Sequence, residues 1–311
     1  DFTNKAFEAL DVVGWEYAEP ILTSLVAGYA GAMRMEESNA WRYPIDLVQL
    51  LEQTFAGLAE TVAIGRAGLN EEGRQGDRGT GRQGAQGTER HNDPSAGRLE
   101  ELLGLLLEDN PQATIDAMVG ALRAGCSMAE LAQTVAHAAA LRIARFHTSN
   151  EFGDWDTALH TFTFANAVHQ GLGRAPSVEL LRGVFDAAMS IYLDRFLNIP
   201  AARLPARPTQ LRAEAATDAQ LAELTALLDK QQQVNQAGQK VAEFLYNEGD
   251  IDGLLAHVGK LLLREDRDFH TIQAVEAAFR HLRVWRGTAA GVNVLVVAIR
   301  CLAAHAPTVR A

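Results

Sequence analysis

Histidines in alanine-rich segments are the side chains of this sequence best suited to chemistry. The segment LHTFTFANAVHQ, residues 159–170, carries His160 and His169 nine positions apart. Because an α-helix advances about 100° per residue, the two imidazoles would project from nearly opposite faces of one straight helix. They cannot enter one pocket together, so the other members of a site that contains His160 must come from elsewhere in the chain.

Nine histidines occur in the chain, and several of them, including His137, His160 and His270, lie in predicted helices. His137 lies in TVAHAAALRIARF, where small neighbours leave room for a ligand or a closely packed helix. Thr163 falls near the face of His160 and could orient its imidazole. One histidine from each of three helices would suit a mononuclear non-haem iron or zinc site. For any single histidine, hydrogen bonding or solvent exposure is the alternative interpretation.

Helical periodicity of apolar residues runs through most of the chain. Residues 44–64 place Leu47, Leu50, Leu51 and Phe55 on one stripe. Further helices are predicted over 110–125, 127–146, 154–172, 177–197, 217–248, 252–264, 268–283 and 286–305. No alternating apolar and polar stretch is long enough for a convincing strand. We therefore predict an all-α fold, a multi-helix bundle-like array.

Local capping signals mark the starts of two of these helices. Asn110 precedes Pro111, which is a favourable residue at the first helical position. Ser127 and Glu130 form a capping-box pattern at the start of the next helix. Gly125 is the expected stop between the two helices.

Two stretches interrupt the helical pattern. Residues 69–97 are rich in Gly, Gln, Arg and Asp, which predicts a flexible Gly-rich insertion. Its GTGRQG segment formally matches a dinucleotide fingerprint but has no strand before it and no helix after it. Residues 199–211 contain three prolines and form a stiff Pro-rich connector. We predict one large helical domain over 1–311, in which the connector could separate helical subdomains 1–198 and 212–311.

Composition and charge exclude several classes of partner. A net charge of -11 and a pI near 5.3 argue against a nucleic-acid partner. The most apolar run, GVNVLVVAI at 291–299, is too short to span a bilayer, and no basic amphipathic anchor stands out, so no membrane partner is expected. Cys126 and Cys301 occur without CxxC spacing, which is typical of a reduced, cytoplasmic protein. Because the chain begins at Asp1 without a signal segment, we expect it to be part of a longer protein with no visible targeting signal.

Four short motifs together resemble the questin oxidase-like family of helical oxygenases. They are TNKAFEALDVVGW (3–15), AHAAALRIA (136–144), LHTFTFANA (159–167) and DFHTIQAVEA (268–277). The resemblance implies that His137, His160 and His270 hold an iron ion as cofactor. It places Arg142 at the family's arginine, displaced by one position, where it would steady a developing oxyanion, and Thr163 at the family's threonine, where it would orient a ligand. It further implies an oxidoreductase that carries out Baeyer–Villiger-like or ring-cleaving oxidations of a small aromatic or polycyclic substrate.

The sequence departs from the family's motifs at two positions. Lys5 stands where the family has its opening histidine, and Gln273 stands where the last motif has a lysine. Glu36 or Glu37 could supply a carboxylate to the same pocket and replace a lost ligand. The alternative is a non-catalytic helical module that packs against a redox domain or forms a homo-oligomer. A weaker resemblance to helical regions attached to Rieske iron–sulfur proteins supports this alternative, although the Cys-His pairs of a Rieske centre are absent here.

Overall fold

The computed structural model describes residues 1–32, 45–76, 94–208, 218–265 and 269–307, and within these ranges it contains helices and no β-strand. The predicted all-α array is therefore confirmed. The α-helices are α1 (Phe2–Val13), α2 (Ala18–Thr23), α3 (Val26–Ala30), α4 (Leu47–Ala56), α5 (Leu58–Gly76), α6 (Pro94–Leu105), α7 (Pro111–Arg123), α8 (Met128–Ala144), α9 (Phe152–Arg174), α10 (Val178–Leu193), α11 (Asp218–Leu228), α12 (Val234–Tyr246), α13 (Ile251–Arg264), α14 (Phe269–Val284) and α15 (Ala289–His305). In the same ranges there are also two 3₁₀ segments, Trp15–Tyr17 and Asp194–Asn198.

The predicted caps of α7 and α8 are present. The side-chain oxygen of Asn110 accepts the N–H of Ala113 at 3.0 Å. The Ser127 hydroxyl accepts the N–H of Glu130 at 3.2 Å, while the Glu130 carboxylate accepts the N–H of Ser127 at 2.8 Å. These bonds satisfy backbone donors that have no partner within the helix. Local side chains therefore set where the two helices begin.

Three boundaries differ from the predicted helices. The helix predicted over 44–64 is two helices, because α4 ends at Ala56 and Gly57, a poor helix former, separates it from α5. The helix predicted over 217–248 is broken between α11 and α12, where Gln232 adopts a positive φ of 61° that an α-helix cannot continue. Both ends of the predicted flexible insertion are helical, since α5 runs to Gly76 and α6 begins at Pro94. Residues 77–93, which include the GTGRQG segment, lie outside the described ranges.

One compact unit comprises residues 1–135 and 164–192. In this unit α7 packs against α4, α5 and α6 around a core that includes Leu58, Leu102 and Met118. Gly65 allows α5 to approach α7 closely, since a Cβ at this position would lie 2.0 Å from the backbone oxygen of Leu122. Any larger side chain would separate the two helices at this point.

The other compact unit comprises residues 136–163 and 193–311. Helix α15 packs against α12 and α14, and its residues 294–303 are all buried. A helix that is apolar around its whole circumference must be enclosed by others. The grouping differs from the predicted subdomains 1–198 and 212–311, because residues 136–163 pack with the C-terminal part of the chain. Periodicity within a helix does not reveal such a long-range pairing.

A buried polar network holds the 3₁₀ segment Asp194–Asn198 against α8 and α9. The Thr161 hydroxyl donates to the Asp194 carboxylate at 2.7 Å. Arg142 donates from Nη1 to the side-chain oxygen of Asn198 at 3.1 Å, and the Asn198 amide donates to the backbone oxygen of Arg142 at 2.8 Å. Burial raises the pKa of Asp194 to about 6, and the Thr161 bond and the Arg142 charge act in the opposite direction. The network fixes the backbone of α9 at the residue that follows His160.

Candidate metal centre

Asp156, His160 and His270 form a cluster of potential metal ligands in the second unit. Asp156 and His160 are four residues apart on α9 and therefore share a helix face, and His270 lies in the first turn of α14. One ligand atom from each of the three lies within 4.8 Å of the others. The imidazole centroids of His160 and His270 are 4.1 Å apart, and Nε2 of His160 is 3.8 Å from Oδ2 of Asp156.

The donor set and its surroundings fit a divalent transition-metal ion. Metal–nitrogen and metal–oxygen bonds of about 2.1 Å place neighbouring ligand atoms roughly 3 Å apart, so the cluster needs a contraction of about 1–2 Å. The His160 side chain is 51% exposed and that of Asp156 is 35% exposed, so both can rotate without disturbing the core. Nδ1 of His270 is buried and has no hydrogen-bond partner in the described part of the chain. A buried imidazole nitrogen without a partner is a suitable ligand atom.

Electrostatics make Asp156 the critical member of this cluster. The N-terminus of α14 carries a partial positive charge, which opposes a cation near His270. Neutral imidazoles add no compensating charge, so Asp156 supplies the negative charge that makes cation binding favourable. Two imidazoles and one carboxylate constitute the donor set of many non-haem iron sites, with coordination positions left open.

The structure places His137 away from this cluster. The ring of His137 lies 5.0 Å from that of Trp285, which directly follows α14. His270 begins the same helix, and fifteen residues of α-helix rise by roughly 22 Å. Trp285 also stacks on His281 at 4.8 Å, so His137 belongs to an aromatic cluster. Burial lowers the pKa of His137 to about 4, which keeps this imidazole neutral near pH 7.

Arg142 and Thr163 contact neighbouring parts of the fold, and their predicted catalytic roles stay predictions. Arg142 is buried at 4% exposure and holds Asn198 through the network described above. Burial lowers its pKa to about 10, while the Asp194 carboxylate acts to raise it. The Thr163 hydroxyl donates to the backbone oxygen of His160 at 3.3 Å. A hydroxyl that bonds the preceding helical turn supports the backbone near His160.

The remaining positions singled out from the sequence lie in different environments. Gln273, one helical turn beyond His270, is buried, and its amide atoms have no hydrogen-bond partner among the described residues. Lys5 belongs to the first unit and pairs with Glu8 at 2.7 Å. Glu36 and Glu37 lie outside the described ranges, so the proposed substitute carboxylate is not placed.

Sequence reasoning missed Asp156. The signal was present in DTALH, which sets an aspartate four residues before His160 and therefore on the same helix face. Such spacing is common on solvated helices, where it produces ordinary ion pairs. This pair differs from such ion pairs only because His270 of α14 lies close to it, and this proximity is a tertiary contact.

Fold and site together define a helical protein with a surface cluster of two histidines and one carboxylate. Comparison with models of known protein families, with curated proteins and with solved structures found no match. Within the described residues, no helix is both long enough and apolar enough to cross a membrane.

Proposed function

We propose that this protein is a metal-dependent oxidoreductase of the non-haem iron type, with one metal ion bound by Asp156, His160 and His270. The observation that carries the proposal is the convergence of two imidazoles and one carboxylate within 4.8 Å. Hard carboxylate and intermediate imidazole ligands suit iron(II), and three protein ligands leave positions open. The motif resemblance to questin oxidase-like oxygenases supports the same chemistry and an aromatic or polycyclic substrate.

The chain's own residues would hold the ion and keep one side of it accessible. When bound, the metal supplies open coordination positions that activate oxygen or polarise a substrate carbonyl. Because His160 is half exposed, a substrate can reach this side of the cluster without opening the core. The Thr161–Asp194 bond positions the backbone beside His160, and the Asp156 carboxylate balances part of the cation's charge.

Oxygen stoichiometry separates the two reaction types that the resemblance implies. Cleavage of an aromatic ring takes up both atoms of dioxygen and needs no further reductant. Insertion of one oxygen atom next to a carbonyl leaves the second atom to be reduced to water, which requires two electrons and two protons from a reductant. A redox-domain partner is needed only in the second case.

Metal content tests the ligand set. Protein reconstituted with ferrous iron under anaerobic conditions is analysed by elemental mass spectrometry as wild type, His160→Ala, His137→Ala and the control His257→Ala. His257 bonds Thr225 and lies outside the cluster, so its loss should not affect metal binding. We expect near-stoichiometric iron in all proteins except His160→Ala. Equal iron in all four, or none in the wild type, would contradict the site.

Asp156→Asn tests the electrostatic argument with nearly unchanged shape. Loss of the negative charge should weaken iron binding at least tenfold while the histidines stay in place. Oxygen uptake with a panel of phenolic and quinone substrates then tests the oxidoreductase activity. Iron binding without oxygen uptake on any of them would leave a metal site and refute the proposed reaction.

Exposed apolar side chains support a second candidate, the helical interaction module. In the first unit Tyr29 and Trp15 are 60% and 55% exposed and line the same cavity as Phe7. Clustered exposed apolar residues are typical of interaction surfaces. Light scattering of wild type and Trp15→Asp tests this candidate, because self-association through this surface should be lost in the variant. A wild type that is monomeric at all concentrations would exclude a homo-oligomer.

A further inference from the structure

A cavity in the second unit is lined by two guanidinium groups, Arg203 and Arg300, and neither forms an ion pair with a described carboxylate. The cavity has a volume of about 830 Å³ and lies between the connector residues 201–206, the start of α12 and Arg300 of α15. This volume falls within the range of small-molecule sites in proteins. The chain as a whole is acidic, so a locally basic cavity stands out.

Arg300 is a buried cation with only neutral partners. It is 2% exposed, donates from Nη1 to the side-chain oxygen of Asn235 at 2.5 Å, and donates from Nη2 to the backbone oxygen of Phe146. Its Nε–H has no hydrogen-bond partner in the described ranges, and no described carboxylate lies within ion-pair distance. Gly238 makes room for its aliphatic chain, since a Cβ there would lie 3.2 Å from Cγ of Arg300. A buried charge without an opposite charge is unfavourable unless a ligand supplies one.

The N-terminus of α12 also favours an anion in this cavity. Its N-cap residue, Gln233, makes no side-chain capping bond, and Asn235 and Gln236 of the first turn line the cavity. The first backbone N–H groups of a helix and its dipole together favour an anion. An uncapped helix start beside a buried arginine is therefore suited to an oxyanion.

The charged side chains around the cavity have a net positive charge. Lys240 is neutralised, because its Nζ lies 2.6 Å from the Glu223 carboxylate and 3.8 Å from that of Glu243. Arg203, in the connector, is exposed and has no acidic partner among the residues that the structure describes. Three cations, Arg203, Lys240 and Arg300, thus face two carboxylates, Glu223 and Glu243, so the net charge around the cavity is positive.

We propose that this cavity binds a phosphate group, either as the free ion or as part of a small organic phosphate. Guanidinium groups match the geometry of phosphate oxygens and form charge-assisted hydrogen bonds with them. Arg203 and Arg300 balance the charge, and the first turn of α12 donates to the remaining oxygens. A cavity of this volume leaves space for an organic group beyond the phosphate.

Calorimetric titration with inorganic phosphate and with phenyl phosphate tests the proposal. The protein is treated with a chelator first, so that phosphate cannot bind through a metal ion, and acetate serves as the comparison anion. We expect saturable phosphate binding at one site and much weaker acetate binding. Tighter binding of phenyl phosphate identifies an organic phosphate as the ligand, and equal affinities identify the free ion. No saturable binding of either would overturn the proposal and leave Arg300 as a residue that only caps the end of α8.

Matched variants locate the binding. Arg203→Gln removes an exposed cation without touching the core and should weaken phosphate binding about tenfold. Arg207→Gln is the control, because Arg207 lies in the same connector but stacks over Tyr246 and does not line the cavity. Gln236→Glu places a carboxylate at the helix start and should abolish binding. Equal affinities in wild type, Arg203→Gln and Gln236→Glu would show that phosphate binds elsewhere and refute this site.

Discussion

Substitution of Asp194 by asparagine should change how the stability of the protein depends on pH. Burial raises the pKa of this carboxyl from 3.8 to about 6, so the folded protein retains the proton at pH values where the unfolded chain has lost it. Stability therefore falls as pH rises from about 4 to about 7, and at lower pH the contribution is fully present. A shift of about two pH units corresponds to roughly 3 kcal/mol. Asparagine can still accept the hydrogen bond of Thr161 but cannot titrate.

Urea denaturation of wild type and Asp194→Asn at several pH values measures this contribution. The free energy of unfolding of the wild type minus that of the variant should decrease by about 2–3 kcal/mol between pH 4 and pH 7. Asp229→Asn is the control, because Asp229 is an exposed carboxylate paired with Arg264, and its difference should stay nearly constant. A difference that increases with pH would mean that the charge of Arg142 outweighs burial, and the reasoning would be wrong.

Two further substitutions follow from the packing. Gly65→Ala should lower the free energy of unfolding by about 3 kcal/mol, because its methyl group would lie 2.0 Å from the backbone oxygen of Leu122. Gly68→Ala is the control in the same helix: its methyl group meets nothing within 4 Å, so the substitution should stabilise the protein by about 0.5–1 kcal/mol. Equal urea midpoints for the two variants would contradict the close approach of α5 and α7. Gln273→Leu should stabilise the folded protein by about 1–3 kcal/mol, since it removes two buried amide atoms that have no hydrogen-bond partner among the described residues. A lower melting temperature of the variant would show that the amide does form hydrogen bonds.

Helix starts could be predicted because they depend on neighbouring residues. Asn110 caps α7, and the Ser127–Glu130 pair caps α8, through bonds that span three positions of the chain. Apolar periodicity likewise placed α9, α13, α14 and α15 to within a few residues. Interactions of such short range leave their pattern in the sequence itself.

Interactions between distant segments were not predictable in the same way. Residues 136–163 pack with the C-terminal half of the chain, and nothing in their own periodicity indicates this choice. Arg300 follows an apolar run, and only the folded chain brings it to Asn235 and Phe146.

The candidate metal centre combines both kinds of information, which explains why it was predicted only in part. The spacing of Asp156 and His160 is local, and their shared helix face follows from four residues of separation. Their meeting with His270 depends on how α14 packs in the second unit, as does the separation of His137 from the cluster. Sequence motifs that contain three histidines cannot distinguish a metal ligand from a histidine that packs among aromatic rings, as His137 does. The Asp156 carboxylate adds a negative charge that a third neutral imidazole would not provide, and this charge offsets the partial positive charge at the N-terminus of α14.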